Sequence, residues 1–392
     1  STLDALTSGD RNVAVGALAG TNINSATGNV LVGSNSGDAL TGGSYNIAIG
    51  YHALSAEDGH GKNVAIGYRA LQDQNAGADA YNIAIGHDTG KEITTGVRNT
   101  LIGAIAGDAL TSGYYNTALG YQALSSSVSG RNAVAIGYQA LSNENSTNTE
   151  TYNVAVGYTA GAQITTGTKN TIIGGLAGDA LTTGVHNVAL GYKALTTEDT
   201  GHYSVAIGSG ALEDQNYDGS AFNIAIGYEA GNSVTTGIQN TIIGGQAGDA
   251  LTTGYNNVAI GHNALTAEDT AGHNVAIGFE TLKAHNNDTA DSYNVAVGAK
   301  AGTAVTTGIR NVLIGGLAAQ NLAVGEKNIA IGYNALGSET NHGLNVAIGD
   351  HALATQQAGA NAYNVAVGHN AGLSVTTGQF NTLIGGLVGD SL

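Results

Sequence analysis

The 392-residue chain contains no Cys, Pro, Met or Trp, and only 3 Phe. Without Cys there is no disulfide framework, thiolate zinc site, thiol nucleophile or c-type haem attachment. Without Pro, and with Gly not at every third position, a collagen triple helix is excluded. Charge is sparse: 10% of residues, against about a quarter in a typical soluble protein. Basic residues are scarcest, 12 Lys+Arg against 29 Asp+Glu, for a formal net charge of −17. Such a chain has no basic footprint with which to release counterions, so nucleic-acid binding is not expected. No apolar run approaches about 18 residues, so no membrane span is expected. The first residue is Ser and Met is absent throughout, which reads as a processed chain or a segment of a longer one.

What is present is a repeat. The pentapeptide of Asn46-Ile-Ala-Ile-Gly50 recurs in 22 copies, from the one ending on Gly16 to the one ending on Gly385. Spacings run 17, 17, 17 and then 19 or 20, so a 17-residue unit is nested in a four-unit super-repeat of 70 or 71 residues. Counting the motif Gly as zero, position −1 is Val, Ile or Leu and position −3 is Val, Ile or Thr in all 22 copies. Position −2 is Ala in 16 and Leu or Ile in 6. This alternation predicts a short strand, with −3 and −1 on one face and −2 on the other. Position −4 is Asn in 20 copies, Ala133 and Ser204 being the exceptions. Asn there suits a turn, and Asn amides stacked in successive coils can bond one another as a ladder.

The second half of the unit has two forms. Ten units carry Ala-Leu or Thr-Leu at +3/+4, as in Tyr51-His-Ala-Leu54. The other twelve carry Gly or Ala319 at +4 and place Leu, Ile or Val at +7, as in Gly107-Asp-Ala-Leu110. Each unit thus supplies one large aliphatic from either of two places. One strand, one weaker apolar segment and two turns make one coil of an all-β fold, a β-solenoid of about 22 coils of 17–20 residues, in which stacking buries what a single coil cannot. The whole of 1–392 reads as a single repeat domain, a rod on the order of 100 Å long at about 4.8 Å per coil. A 34-residue coil holding two motif strands is the main structural alternative. Val64, Ile66, Val134, Ile136, Val205 and Ile207 are expected inside, and Asn63 and Asn82 at turns.

The repeat Asn-Val-Ala-Ile-Gly-x-x-Ala resembles the coil motif of trimeric autotransporter adhesin heads. Its longer form, Tyr-Asn-x-Ala-Ile-Gly-Tyr-x-Ala-Leu…Thr-Thr-Gly, is similar to repeats of tail-fibre-type proteins. The likeness runs from Asn12 to Leu392, although coils of 17, 19 or 20 residues are longer than those of the adhesin heads. The adhesin-head resemblance implies a left-handed parallel β-roll, three chains side by side, and an extracellular structural or adhesive role.

No catalytic constellation is present: there is no Gly-x-Ser-x-Gly elbow, Walker loop, His-Glu-x-x-His or calcium loop. Neither enzyme activity nor a cofactor, metal or catalytic residue is expected. One polar cluster recurs at super-repeat spacing: Glu57-Asp58-x-His60, Glu198-Asp199-x-x-His202, Glu268-Asp269-x-x-x-His273 and Glu339-x-x-His342. The drifting His offset favours a solvated turn over an interchain contact or a metal site. The extra residues form polar loops, Gln72–Ala80, Ser142–Thr151, Glu213–Ala221, Lys283–Ser292 and Ala354–Ala362, expected on one edge, as tolerated bulges or as a binding face. Tyr at +1 (Tyr51, Tyr68, Tyr121, Tyr138, Tyr158, Tyr192, Tyr228, Tyr333) and at −5 (Tyr45, Tyr81, Tyr115 and others) can stack on sugars or, the reading preferred here, on each other. Asp38, Asp108, Asp179, Asp249 and Asp390, at +5, read as turn-capping acids.

The expected function is that of a non-catalytic fibre or filament protein, extracellular or at a cell surface, with a virion fibre shaft or a glycan- or ice-binding solenoid as alternatives. Self-association is the expected partnership, as a homotrimer through the −2 row (Leu31, Leu101, Ile172, Ile242, Leu313, Leu383) and as an end-to-end filament exposing Leu6 and Leu392 at its joints. A surface glycan or host-surface ligand is the alternative partner.

Overall fold

A computed structural model describes residues 2–147, 149–287 and 291–390. The chain forms two compact units, Ser1–Tyr192 and Lys193–Leu392. Each carries eleven three-residue strands, from β1 (Val13–Val15) to β11 (Val188–Leu190) in the first and from β12 (Val205–Ile207) to β22 (Thr382–Ile384) in the second. The fold is an all-β solenoid, with no helix long and apolar enough to cross a membrane among the described residues. Within each unit every strand pairs in parallel with the next: Val13 lies opposite Val30 in the first, Ile224 opposite Thr241 in the second. The register advances by one repeat per strand, so one coil holds one motif strand, and the 34-residue coil is excluded. Where two or three residues are inserted the ladder absorbs them without slipping, as at Val64 opposite Ile83 and Val134 opposite Val154.

The faces of the strand are the reverse of those expected. In every strand after β1 the −2 side chain is buried and both neighbours are half-buried or exposed. Val64, Ile66, Val134, Ile136, Val205 and Ile207 are therefore only half-buried, on the outer face. Leu31, Leu101, Ile172, Ile242 and Leu313 are wholly inaccessible, and Leu383 is buried, so the −2 row lies in each coil's interior and cannot be a subunit interface. The reason is volume. The interior also receives Ala at +3, a Leu from +4 or an aliphatic from +7, and the Asn at −4. That leaves room for one side chain per strand, and mostly a small one.

The same constraint explains the four-coil period. A Cβ on Gly20 would stand 2.7 Å from a Leu31 methyl, and one on Gly37 would stand 2.9 Å from another. Leu101 excludes a Cβ at Gly90 and Gly107 in the same way, and Ile242 at Gly231. A large −2 Leu thus crowds the +4 positions of its own coil and the one before it, where Gly predominates and Ala319 beside Leu313 is the exception. The next two coils have Ala at −2 and fill their interior with the +4 Leu, as at Leu54 and Leu71.

Turns are built from left-handed residues at −5, +2 and +4, for example Lys62 (φ 65°), Arg69 (φ 53°) and Leu71 (φ 49°). Ordinary side chains there cost of order 1 kcal/mol each, offset by the stacked ladder. The motif Gly is stricter: Gly103 has φ 130°, and a Cβ on it would meet the Gly120 carbonyl oxygen at 2.4 Å. The Asn ladder forms as expected, but inside. Asn29 Oδ1 accepts from the Asn46 backbone N–H at 2.8 Å, and Asn29 Nδ2 donates to the Gly43 carbonyl at 2.9 Å. Asn29 and Asn63 to Asn99 in the same row are fully buried. Asn99 Nδ2 also bonds Asn82 Oδ1 at 3.2 Å, an amide-to-amide rung.

Two substitutions separate these roles. Leu101→Ala should destabilise the first unit by about 2–5 kcal/mol, the cost of a cavity shared by two coils. Gly103→Ala should be worse than its one added methyl suggests, because strain and clash coincide. Urea unfolding of both variants checks this; a cost below about 1 kcal/mol for Leu101→Ala would contradict an interior −2 row.

Candidate functional site

The Leu-type coils hold a feature that the sequence reading passed over. With +4 supplying the aliphatic, +7 still points inward, and in all ten such units it is polar: Glu57, Gln74, Ser127, Glu144, Glu198, Gln215, Glu268, His285, Glu339 and Gln356. All ten are fully buried. They fall in pairs on adjacent coils, one pair per super-repeat, and each pair has one carboxylate. In the second pair the acid has moved to the other coil, Ser127 with Glu144. The uniform polarity of +7 in Leu-type units was the available signal.

Among the described residues these acids pair with His rather than with Lys or Arg, and backbone N–H groups and amides meet them as well. Glu198 Oε1 accepts from the Gly201 N–H at 2.6 Å, and Oε2 from Gln215 Nε2 at 2.9 Å and the Tyr217 N–H at 3.3 Å. Gln215 passes the chain on, accepting from Asn223 Nδ2 at 2.9 Å, so the acid is tied to the Asn ladder. Glu268 bonds His285 Nδ1, whose Nε2 accepts from Asn294 Nδ2 at 2.9 Å. Glu57 Oε1 accepts from the His60 N–H at 3.1 Å, while its Oε2 has no hydrogen-bond partner. Burial pushes Glu57 and Glu198 above the ordinary carboxylate range, against the opposing pull of their hydrogen bonds.

The Glu-Asp-His turns are thus split rather than solvated throughout: the Glu goes in, and Asp58 stays exposed. Glu57, Asp58 and His60 bring three donor atoms within 4.8 Å of one another. Among the described residues the grouping is not repeated. His342 Nδ1 sits 3.2 Å from Glu339, but Glu268 takes His285 from the next coil, and His273 faces Asp291 at 3.6 Å. The drifting offset therefore reflects different His roles.

Outside, three surfaces recur. The −3 and −1 rows make an uncharged, apolar face along each unit, with Ile49 36%, Leu119 43% and Leu190 42% exposed. Beyond the motif Gly runs the +1 aromatic column. Tyr51, Tyr68 and His87 stack at 5.4 and 4.9 Å, and Tyr121, Tyr138 and Tyr158 at 5.6 and 5.3 Å. The −5 column stacks too, as with Tyr203 on Phe222 and Tyr363 on Phe380. The ladder reading of the aromatics holds. The +1 column is broken by small residues at Ala17, Ser34, Ala104, Gly175, Ser209, Gly245, Ala299, Gly316 and Gly386.

At +5, Asp38, Asp108 and Asp249 are half-buried and receive backbone N–H groups from their own turn, as a capping acid does. Burial raises all three, Asp108 to about 6 with Asp88 and Glu92 adding repulsion. In the inserted loops, 77–79 and 359–361 are exposed between the buried pairs Gln74/Ala80 and Gln356/Ala362. Parts of Ser142–Thr151 and Lys283–Ser292, and Leu392, lie outside the described residues; Leu6 is 40% exposed. No model of a known protein family matches the chain, and no curated protein matches it.

The buried acids set a direction for pH dependence. A carboxyl whose folded pKa is raised binds its proton more tightly when folded, so its folded form gains stability as pH falls through that pKa toward the unfolded value. For Asp108 the window runs from about pH 6 down to the ordinary carboxylate range, and Glu57 and Glu198 act in the same direction. Below it, Asp79 and Glu280, held low by hydrogen bonds from Lys62 and Lys283, act the other way. The thermal midpoint should therefore rise from pH 7 to pH 5. Glu57→Gln and Glu198→Gln should each raise the midpoint at pH 7 and flatten that rise, as followed by circular dichroism.

Proposed function

We propose that this chain is a non-catalytic structural or adhesive fibre protein that works outside the cell or on a virion as a side-by-side assembly of identical chains. The observation that carries this reading is the outer face of the strands. Position −1 is aliphatic in all 22 coils and −3 is Val, Ile or Thr, with no charge in either row. Soluble monomers rarely expose contiguous apolar patches beyond about a few hundred Å2. Eleven stacked coils of mostly aliphatic, half-exposed side chains in each unit exceed that, and a second copy presenting the same uncharged rows is the natural cover. The association surface is thus the −3/−1 face, not the −2 row. The copy number of three comes from the resemblance to trimeric adhesin heads.

A structural role is also favoured by how the polar groups are used. The five recurrent acids are buried in the interior, and Glu198, Glu268 and Glu339 are tied by hydrogen bonds to the next coil. Repetition without a break gives a surface of constant chemistry along its length, which suits a shaft or an adhesive module.

Light scattering coupled to size exclusion tests this. The parent chain should elute as a stable trimer, resistant to dilution and salt. Val134→Lys with Ile136→Lys, on the outer face of one coil, should shift it to monomer while keeping the β-type circular dichroism spectrum. A monodisperse parent monomer would sink the proposal.

A further inference from the structure

We propose that the groove beside Tyr158 is a carbohydrate-binding site that takes one pyranose ring of a neutral glycan. It uses positions +1, +2, +5 and +6, so it is separate from the strand face assigned above to self-association.

Tyr158 is the last ring of a stack. Tyr138 covers one side of it at 5.3 Å and 8° between planes. On the other side the next coil carries Gly175, and Tyr158 is 58% exposed where Tyr138 is 42%. The following ring, Tyr192, is two coils from Tyr158, about 9–10 Å at the usual strand spacing. That gap is too wide for a flat aromatic to touch both rings and suits the thicker chair of a sugar, whose C–H face stacks on an aromatic. Gly175 is not forced by the backbone: a Cβ there would meet only Tyr192, at an ordinary 3.7 Å. Tyr, which the column carries in eight other coils, is sterically admissible there; the gap is a departure from the column, not a requirement of the turn.

Tyr158 also borders a groove of about 450 Å3, lined with it by Gln139, Asn143, Gln163, Asp179 and Leu176 among others. Its chemistry selects the ligand. Asn143 Nδ2 donates to Gln163 Oε1 at 3.0 Å, a pairing that uses one of the four amide N–H donors the two side chains hold. With the Asp179 carboxylate they offer closely spaced donors and acceptors, as vicinal hydroxyls require. No Lys or Arg lines the groove, so sulfated or sialylated sugars and phosphates have no counter-charge, and the −17 chain repels them. The lining is particular to this place: at the gap beside Ala104 the positions of Asn143 and Gln163 hold Asp73 and Glu92, and at Gly245 they hold Asp214 and Ser233.

Calorimetric titration of the full chain with cellotetraose, maltotetraose, chitotetraose and a sialylated tetrasaccharide tests this. At least one neutral probe should bind, and the sialylated one should not. Filling the gap with Gly175→Tyr should weaken binding at least tenfold while leaving the thermal midpoint unchanged or higher, because the ring extends an existing stack. In a separate variant, Tyr158→Phe should keep the site that Tyr158→Ala removes, read as one fewer binding equivalent. Failure of every neutral probe, preference for the sialylated one, or full binding by the folded gap-filled variant would each overturn the proposal.

Discussion

The narrow interior of a single coil governs this molecule. One strand, one Asn and one or two further side chains exhaust the space that a 17-residue coil encloses. Every large residue therefore obliges its neighbours to be small. Leu101 requires Gly90 and Gly107; Leu54 and Leu71 require Ala48 and Ala65. Interiors packed to crystal-like density tolerate no alternative without a cavity or a clash. The four-coil period is the simplest sequence that alternates the two solutions.

Backbone satisfaction is the second demand. Short coils with three left-handed residues each leave many peptide groups outside regular ladders. The Asn row answers this by serving two coils at once, its oxygen on the next strand's N–H and its nitrogen on a closing carbonyl. The row of +7 polar groups extends that network in the Leu-type coils. Burying a carboxylate without a cation is costly, and hydrogen bonds from Gly201, Tyr217 and Gln215 offset part of the cost at Glu198. One acid per period also makes neighbouring coils chemically unlike, so that a stack slipped by one coil would set Glu against aliphatic plugs.

The outward surfaces then follow from what the interior rejects. Val and Ile at −3 and −1 are too bulky to share the interior, so the strand shows water its larger aliphatics. Tyr at +1 and −5 covers the turns coil over coil. Where the aromatic column stops at Gly175, Tyr158 is left open beside amide- and acid-lined turns.

Much of this was legible in the residues alone. The period, the in-register parallel stacking, the Asn ladder, the aromatic stacks and the choice between +4 and +7 aliphatics all follow from spacing, because identical units one coil apart must meet identical neighbours. Ten polar residues at +7 of Leu-type units were equally visible, but their burial was not, since an acid beside a Gly-rich turn reads as solvated. Which strand face turns inward was decided only by the tertiary structure. Alternation separates Val64 and Ile66 from Ala65, yet with apolar residues on both sides hydrophobicity does not choose between them. Coil closure does, by volume: the face with one small side chain fits inside, and the face with two large ones does not.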